Sequence, residues 1–233
     1  MNLFFIIVCI LFCWFFIKLY FNESTSALKN DNENNNKIMY GLKIMHQIFE
    51  KHNIYYTIAY GTLLGAVRHR NMIPWDDDAD INVMRSDYDL IIKLSDEFRS
   101  YGLIIEADWK LIKIYFDSSR YPFIDIFVND IVDNKIVRCA QPFNKTCVEL
   151  DNTNATNWWH KWIHYPAEWI INKKIYYFGS LQLWGPSEPD KLLKYWYGPN
   201  YLTECQTAEL DHLTGQLAKP TIINCGKLPK PQL

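Results

Sequence analysis

The chain has 233 residues, with 24 Lys and Arg against 26 Asp and Glu and a formal net charge of −2. That length fits one catalytic domain with appendages, and the near-neutral balance removes any bulk electrostatic case for nucleic-acid binding. A hydrophobic content of 49%, with 9 Trp, 15 Tyr and 13 Phe, is ample for a sizeable core.

Residues 1–21 read as a transmembrane signal anchor. From Leu3 to Phe21 the run is apolar apart from Lys18, and as a helix it spans roughly 28 Å at ~1.5 Å per residue, close to the hydrocarbon thickness of a bilayer. Lys18 can snorkel, and Tyr20 suits an interface. A cleaved signal peptide is the alternative. Against it stand the lack of a basic start, an apolar run longer than the usual ~7–15 residues, and bulky Leu19-Tyr20-Phe21 at its end. Small residues from Ser24 to Ala27 leave cleavage open. Residues 22–36 are polar and read as a stem or linker, so the folded domain is expected over 37–233. Asn22, Asn144 and Asn154 begin sequons, which permit glycosylation if the domain is lumenal.

The domain opens on a helix whose apolar stripe is Ile38, Leu42, Met45 and Phe49, widened by Ile44 and Ile48. His46 and His52 read as surface or helix-end residues. A strand follows from Ile54 to Tyr60 and ends at Gly61. The Gly61-Thr62 turn then starts a short apolar helix, Leu63 to Val67, which carries Arg68, His69 and Arg70. Asn71 to Pro74 end it, because Pro74 disfavours the helical region for Ile73.

The next strand carries the chemistry. Asp78, Asp80 and Asn82 alternate onto one face, backed by Ala79, Ile81 and Val83 on the other. Asp76 shares the carboxylate face at its entrance, and Asp77 points the opposite way. Two carboxylates ~4 Å apart repel by roughly 4 kcal/mol at an effective dielectric of about 20, a large charge against a net stability of ~5–15 kcal/mol. A hard divalent cation relieves that repulsion, and Mg²⁺ is commonly held by one or two carboxylates plus substrate phosphates. A solvated acidic loop is the plainer alternative.

Arg85 to Tyr101 reads as a helix capped by Ser86, with Tyr88, Leu90, Ile91, Leu94 and Phe98 on its apolar side. Leu103–Glu106 and Leu111–Phe116 read as strands joined by a turn near Asp108. In the strand Tyr121–Val128, Asp125 stands alone among apolar residues, which is costly unless a partner neutralises it. Either it pairs with a cation such as Arg120, or it is a third metal carboxylate facing Asp78 and Asp80. A hairpin is expected over Ile131–Cys139. The aromatic stretch from Asn152 to Ile171 reads as packing, including His160 and His164, whose spacing no further ligand completes. Cys139, Cys147, Cys205 and Cys225 allow three pairings, of which Cys139–Cys147 with Cys205–Cys225 closes the shortest loops.

The run Tyr60-Gly61-Thr62-Leu63-Leu64-Gly65-Ala66-Val67-Arg68-His69, followed by Ile73-Pro74-Trp75-Asp76-Asp77-Asp78-Ala79-Asp80-Ile81, closely resembles the signature of the LicD family. That family includes fukutin and fukutin-related protein and belongs to the nucleotidyltransferase-fold superfamily. Its pattern is a Gly-Gly or Gly-Ser turn followed by an Asp-x-Asp strand, with Thr62 here in place of the usual small residue. Asp125 matches an acidic residue in a later strand of the family. The resemblance covers roughly Lys37 to Thr203, and Glu204 to Leu233 matches no pattern.

The resemblance implies an α+β fold, a nucleotidyltransferase-like mixed β-sheet flanked by helices and preceded by one N-terminal transmembrane helix. It implies a metal-dependent transferase moving a phosphorylated small alcohol, of the ribitol phosphate or phosphocholine type, from a CDP-activated alditol or choline donor onto a glycan acceptor. Asp78, Asp80 and Asp125 are then the catalytic ligands of Mg²⁺ or Mn²⁺. Gly61 and Thr62 let backbone N–H groups approach a phosphate, and Arg68 pairs with it bidentately. The expected setting is a single-pass type II membrane protein of the Golgi or ER with a lumenal catalytic domain. An Asp-x-Asp glycosyltransferase using sugar nucleotides, or a catalytically silent glycan-binding membrane protein, are the alternatives.

Overall fold

The structure, a computed structural model, describes residues 33–108, 111–116, 118–140, 147–149, 164–207, 212, 215 and 219–233. The apolar N-terminal run, the three sequon asparagines and the stretch with Trp158, Trp159, His160 and Trp162 lie outside the described residues. Within them, no helix is long and apolar enough to cross a membrane.

Helix α1 (33–51) is already under way ahead of Lys37, so residues 33–36 are helical where the polar composition read as stem. Its stripe Ile38, Leu42, Met45, Ile48 and Phe49 is buried as the spacing demands. Gly41 lies where a Cβ would come within 2.9 Å of Ile124 Cδ1, so the helix backbone rests directly on the sheet.

Strand β1 (Tyr56–Ile58) runs into helix α2 (Tyr60–Leu64), which continues as a π-helical turn, Gly65–His69. Arg70 closes that turn in the left-handed conformation, with φ 57°. Strand β2 (Asp78–Met84) follows. The segment expected as one helix over Arg85–Tyr101 is a 3₁₀ turn, Arg85–Asp87, then α3 (Tyr88–Lys93) and α4 (Ser95–Ser100). Ser86 does not cap it. It sits inside the 3₁₀ turn, and the Asp87 carboxylate at the helix entrance instead accepts from the Tyr55 N–H at 3.3 Å.

Strands β3 (Ile104–Ala107), β4 (Ile112–Tyr115) and β5 (Phe123–Val132) come next. The main sheet runs β1-β2-β5-β4-β3, with β2 and β5 parallel and the other neighbours in that path antiparallel. Thus the two Asp-bearing strands are adjacent and interior. The far end of β5 turns through Asp133 and Asn134, both at positive φ, into β6 (Lys135–Ala140), the conformation that a two-residue hairpin favours. β6 also pairs with β7 (Val148–Glu149) and β8 (Tyr165–Pro166). The core is therefore mixed α+β, a central sheet flanked by helices.

After α5 (Glu168–Ile171), the hairpin of β9 (Lys173–Phe178) and β10 (Leu181–Pro186) packs on β1, where a Cβ on Gly185 would lie 3.1 Å from Ile58 Cγ1. Helix α6 (Pro189–Tyr197) brings Trp196 to within 4.4 Å of the Tyr60 ring, centroid to centroid. The C-terminal segment pairs β11 (Cys205–Gln206) with β12 (Ile222–Ile223). Both short-loop disulfides are formed, Cys139–Cys147 and Cys205–Cys225. This tail wraps the motif helix: Trp75 Nε1 donates to Gln206 O at 2.8 Å, and Gln232 donates through N to Val67 O and through Nε2 to Ala66 O.

Candidate active site

The parallel pairing of β2 and β5 sets Asp80 directly opposite Asp125, with Asp78 two residues earlier on the same face. Sequence alternation put Asp78 and Asp80 together, and the strand register adds the third carboxylate. The apolar backs of the two strands, Ala79, Ile81, Ile124 and Ile126, are buried and hold the carboxylates in place.

The first turn of α2 fixes Asp80 from both sides. The Gly61 N–H donates to Asp80 Oδ2 at 3.1 Å, and the Asp80 N–H donates to Thr62 Oγ1 at 2.7 Å. A Cβ on Gly61 would stand 2.7 Å from Asp76 Oδ2 and 3.4 Å from Asp80 Oδ2, so a side chain there would push the Asp76 carboxylate aside. Asp76 is thus part of the cluster and not a group at its entrance. Gly61 and Thr62 act on Asp80 itself here, one through its N–H and the other through its hydroxyl.

The electrostatics follow from that crowding. Burial, with the charges of Asp76 and Asp125, pushes Asp80 up to about 8. Burial and the neighbouring Asp77 push Asp76 up to about 7. Asp78 is raised well above the carboxylate range by burial and then by Asp80 and Asp76. Asp125 is raised by burial, an effect that Lys113 partly offsets. A set of carboxylates that cannot all ionise without a counter-charge, offering only oxygen donors, fits a hard divalent ion such as Mg²⁺ or Mn²⁺. Asp78, Asp80 and Asp125 would hold it.

Three groups absent from the sequence reading surround this cluster. Lys113 on β4 lies opposite Asp125 in register and reaches its Oδ1 at 2.5 Å, while Arg120, the cation expected there, pairs with Glu106. Lys113 sits inside an apolar strand, which is the signal that could have marked it. Arg138 on β6 is buried, donates to the Tyr60 hydroxyl and lies over the Phe127 ring at 3.9 Å; its Nε has no partner among the described residues. His212, from the tail, places Nδ1 2.7 Å from Asp77 Oδ1, against the Phe123 ring. Burial pulls His212 down, but the hydrogen bond and charge of Asp77 outweigh it and raise its pKa.

Arg68 is placed differently from a phosphate-binding group. It is buried, and its Nη1 donates to Tyr201 O at 2.8 Å and Glu204 O at 2.9 Å, tying the tail to the motif helix. Asp77, expected to face away, is drawn toward the cluster by His212 and by the Tyr121 hydroxyl, which donates to its Oδ2 at 3.3 Å. A further group of possible ligands, Asp130 with Cys139 and Cys147, has both sulfurs tied in the disulfide and offers no thiolate.

Comparison with known proteins adds to this geometry. Residues 53–188 match the family described as LicD/FKTN/FKRP, nucleotidyltransferase domain. An uncharacterized protein of Rickettsia prowazekii is 30% identical over 148 residues, 64% of this chain and 49% of that protein. The lipopolysaccharide cholinephosphotransferase LicD of Haemophilus influenzae is 45% identical over 47 residues, 20% of this chain and 18% of that protein. The chain spans about half the length, or less, of the curated relatives it matches. Among solved structures, the lincomycin-bound lincosamide antibiotic adenylyltransferase LnuA aligns with a TM-score of 0.39 and 15% identity, over 70% of this chain and 94% of that one.

Proposed function

The chain belongs to the LicD/FKTN/FKRP nucleotidyltransferase-domain family, and from that premise we propose that it is a metal-dependent transferase of phosphorylated small alcohols. In this reading a CDP-activated donor, of the CDP-ribitol or CDP-choline type, gives its alcohol phosphate to a hydroxyl of a glycan. The observation that carries the proposal is the register of β2 against β5, which sets Asp80 beside Asp125 with Asp78 on the same face. The cholinephosphotransferase name of the Haemophilus relative, which shares 47 aligned residues, supports the donor class.

Asp78, Asp80 and Asp125 would hold Mg²⁺ or Mn²⁺, which when bound neutralises diphosphate oxygens. The acceptor hydroxyl oxygen forms a new bond to the phosphorus of the alcohol phosphate, its proton is released to solvent, and the P–O bond to CMP breaks with CMP as the leaving group. Phosphoryl-type transfer asks the protein mainly for positioning and charge. Gly61 and Thr62 supply the first by fixing Asp80. Lys113 keeps Asp125 in place and partly offsets the burial that raises its pKa. Arg138 adds a buried positive charge beside the carboxylates. Arg68 stands further from this role, because its Nη1 is given to the two tail carbonyls.

The two disulfides favour an oxidising compartment. With the apolar run at residues 1–21, they support a lumenal domain on a type II anchor in the Golgi or ER. The deciding experiment incubates the purified chain and Mn²⁺ with glycan acceptors and a panel of CDP-ribitol, CDP-choline, UDP-sugars and nucleoside triphosphates, read by mass spectrometry. An acceptor mass gain of one alcohol phosphate with release of CMP is expected. Transfer of a sugar or a nucleotidyl group instead would overturn the reading.

A further inference from the structure

The tail beyond the family match contributes a side chain to the acidic cluster. His212 lies outside residues 53–188, and it reaches Asp77 across 135 positions of sequence. One ligand atom from each of Asp77, Asp78 and His212 lies within 4.8 Å of the others. The two ring nitrogens have different surroundings. Nδ1 is 2.7 Å from Asp77 Oδ1, a good hydrogen bond, whereas Nε2 is 3.7 Å from Asp78 Oδ2, too long for one.

That is the arrangement of a metal-ligating histidine: one nitrogen donates to a carboxylate, which fixes the tautomer and turns the other nitrogen toward the ion. Two ligands each ~2.1 Å from one ion stand roughly 3.0–3.5 Å apart on octahedral or tetrahedral centres, so the observed gap closes with a shift of a few tenths of an ångström. The ring is also held in place. It packs edge-on against Phe123, at 5.2 Å between centroids, and Phe123 is the β5 residue opposite Asp78. The tail strands flanking His212 are stapled by Cys205–Cys225 and fastened to the motif by Arg68 and Trp75.

We propose that His212 Nε2 is a protein ligand to a divalent ion seated on Asp78, with Asp77 as its positioning residue. The C-terminal tail therefore completes a metal centre whose other ligands come from the sheet. This rests on the reading of Asp78 as a metal ligand. An imidazole nitrogen shifts the preference of the site from Mg²⁺ toward Mn²⁺, Co²⁺ or Zn²⁺.

The test uses the full metal-free chain and the ions alone. In the Co²⁺-loaded protein, proton NMR should show a strongly shifted exchangeable resonance from the His212 Nδ1–H. His212→Gln should abolish that resonance and weaken Co²⁺ and Mn²⁺ binding by about 10–100-fold, with a much smaller change for Mg²⁺. Asp77→Asn, which keeps the imidazole, should retain the resonance at a changed position and weaken Co²⁺ binding less. This second variant reads the proposal even if His212→Gln proves poorly folded. Retention of the resonance in His212→Gln, its absence from the wild type, or equal loss of Mg²⁺ and Co²⁺ affinity would overturn it. Because no donor is present, a chain that shows the resonance yet transfers nothing from CDP donors refutes the transferase reading and leaves this one standing. Normal transfer with unaltered Co²⁺ binding in His212→Gln does the reverse.

Discussion

The backbone N–H of Gly61 donates to Asp80 Oδ2 at 3.1 Å, and a methyl group on Gly61 would stand 2.7 Å from Asp76 Oδ2. The glycine of the motif therefore lets the Asp76 carboxylate approach the backbone more closely than a side chain would allow. Gly61→Ala must push that carboxylate aside. It should cost about 1–3 kcal/mol of metal-free stability by overpacking and remove most of the stabilisation that Mn²⁺ confers. Thermal melting with and without Mn²⁺ reads both effects, and an unchanged metal response would show that the carboxylates move freely.

The Thr62 hydroxyl accepts from the Asp80 N–H at 2.7 Å. Thr62→Val keeps the shape but leaves a buried donor unmet, at a cost of ~1–3 kcal/mol. Thr62→Ser should restore most of it. Chemical denaturation of the three proteins checks the order, and a Val variant as stable as wild type would mean the hydroxyl is dispensable.

Lys113 neutralises Asp125, with side chains 32% and 13% exposed. Lys113→Met should destabilise the metal-free protein by an amount between the ~1 kcal/mol of an exposed pair and the ~3–5 kcal/mol of breaking a buried one. Its melting temperature should then rise further on adding Mn²⁺ than that of the wild type, because the ion replaces a missing charge. An identical metal response in both proteins would separate Lys113 from the metal site.

Asp80 titrates at about 8 and Asp76 at about 7 in the folded protein, whereas unfolded aspartates titrate near ~3.9. Between those values the folded state holds protons that the unfolded chain has released. Metal-free stability is therefore greatest at low pH within this window and falls as pH rises through about 8. His212, also raised, acts in the same direction. The metal-free melting temperature should fall from pH ~5 to ~8, and Asp80→Asn should flatten the fall. Mn²⁺ affinity should rise over the same range, with protons released on binding. A melting profile that rises with pH would contradict the clustering of these groups.

Arg68 gives a contrast between pattern and structure. On the sequence its neighbourhood with Gly61 suggested phosphate binding, yet it holds Tyr201 O and Glu204 O. Arg68→Gln should destabilise the protein and expose the Cys205–Cys225 tail to limited proteolysis. A stable variant with a protected tail and impaired donor use would return Arg68 to the phosphate.

What the sequence made legible was what short-range period encodes. The alternation of Asp78 and Asp80, the lone Asp125 in an apolar strand, the α1 stripe and the short-loop disulfides all depend on residues near one another in the chain. A lone Lys113 in an apolar strand is visible in the sequence, but its partner is not, because that follows from how β4 registers on β5. Strand alternation points Asp77 away from the cluster, but Asp77 precedes the first residue of β2, so alternation does not bind it. His212 carried no local signal at all, since its meaning lies in a contact made by a tail that matches no family pattern.

The central question is whether carboxylates from two strands share an ion. Thermal melting of wild type, Asp80→Asn and Asp125→Asn, each with and without Mn²⁺, asks this directly. Asp80→Asn should equal or exceed the wild type in metal-free stability, because repulsion is relieved, whereas Asp125→Asn, which also breaks the pair with Lys113, should gain less or fall below it. Both should lose most of the Mn²⁺-induced rise in melting temperature that the wild type shows. Equal Mn²⁺ stabilisation in all three proteins would contradict the shared site.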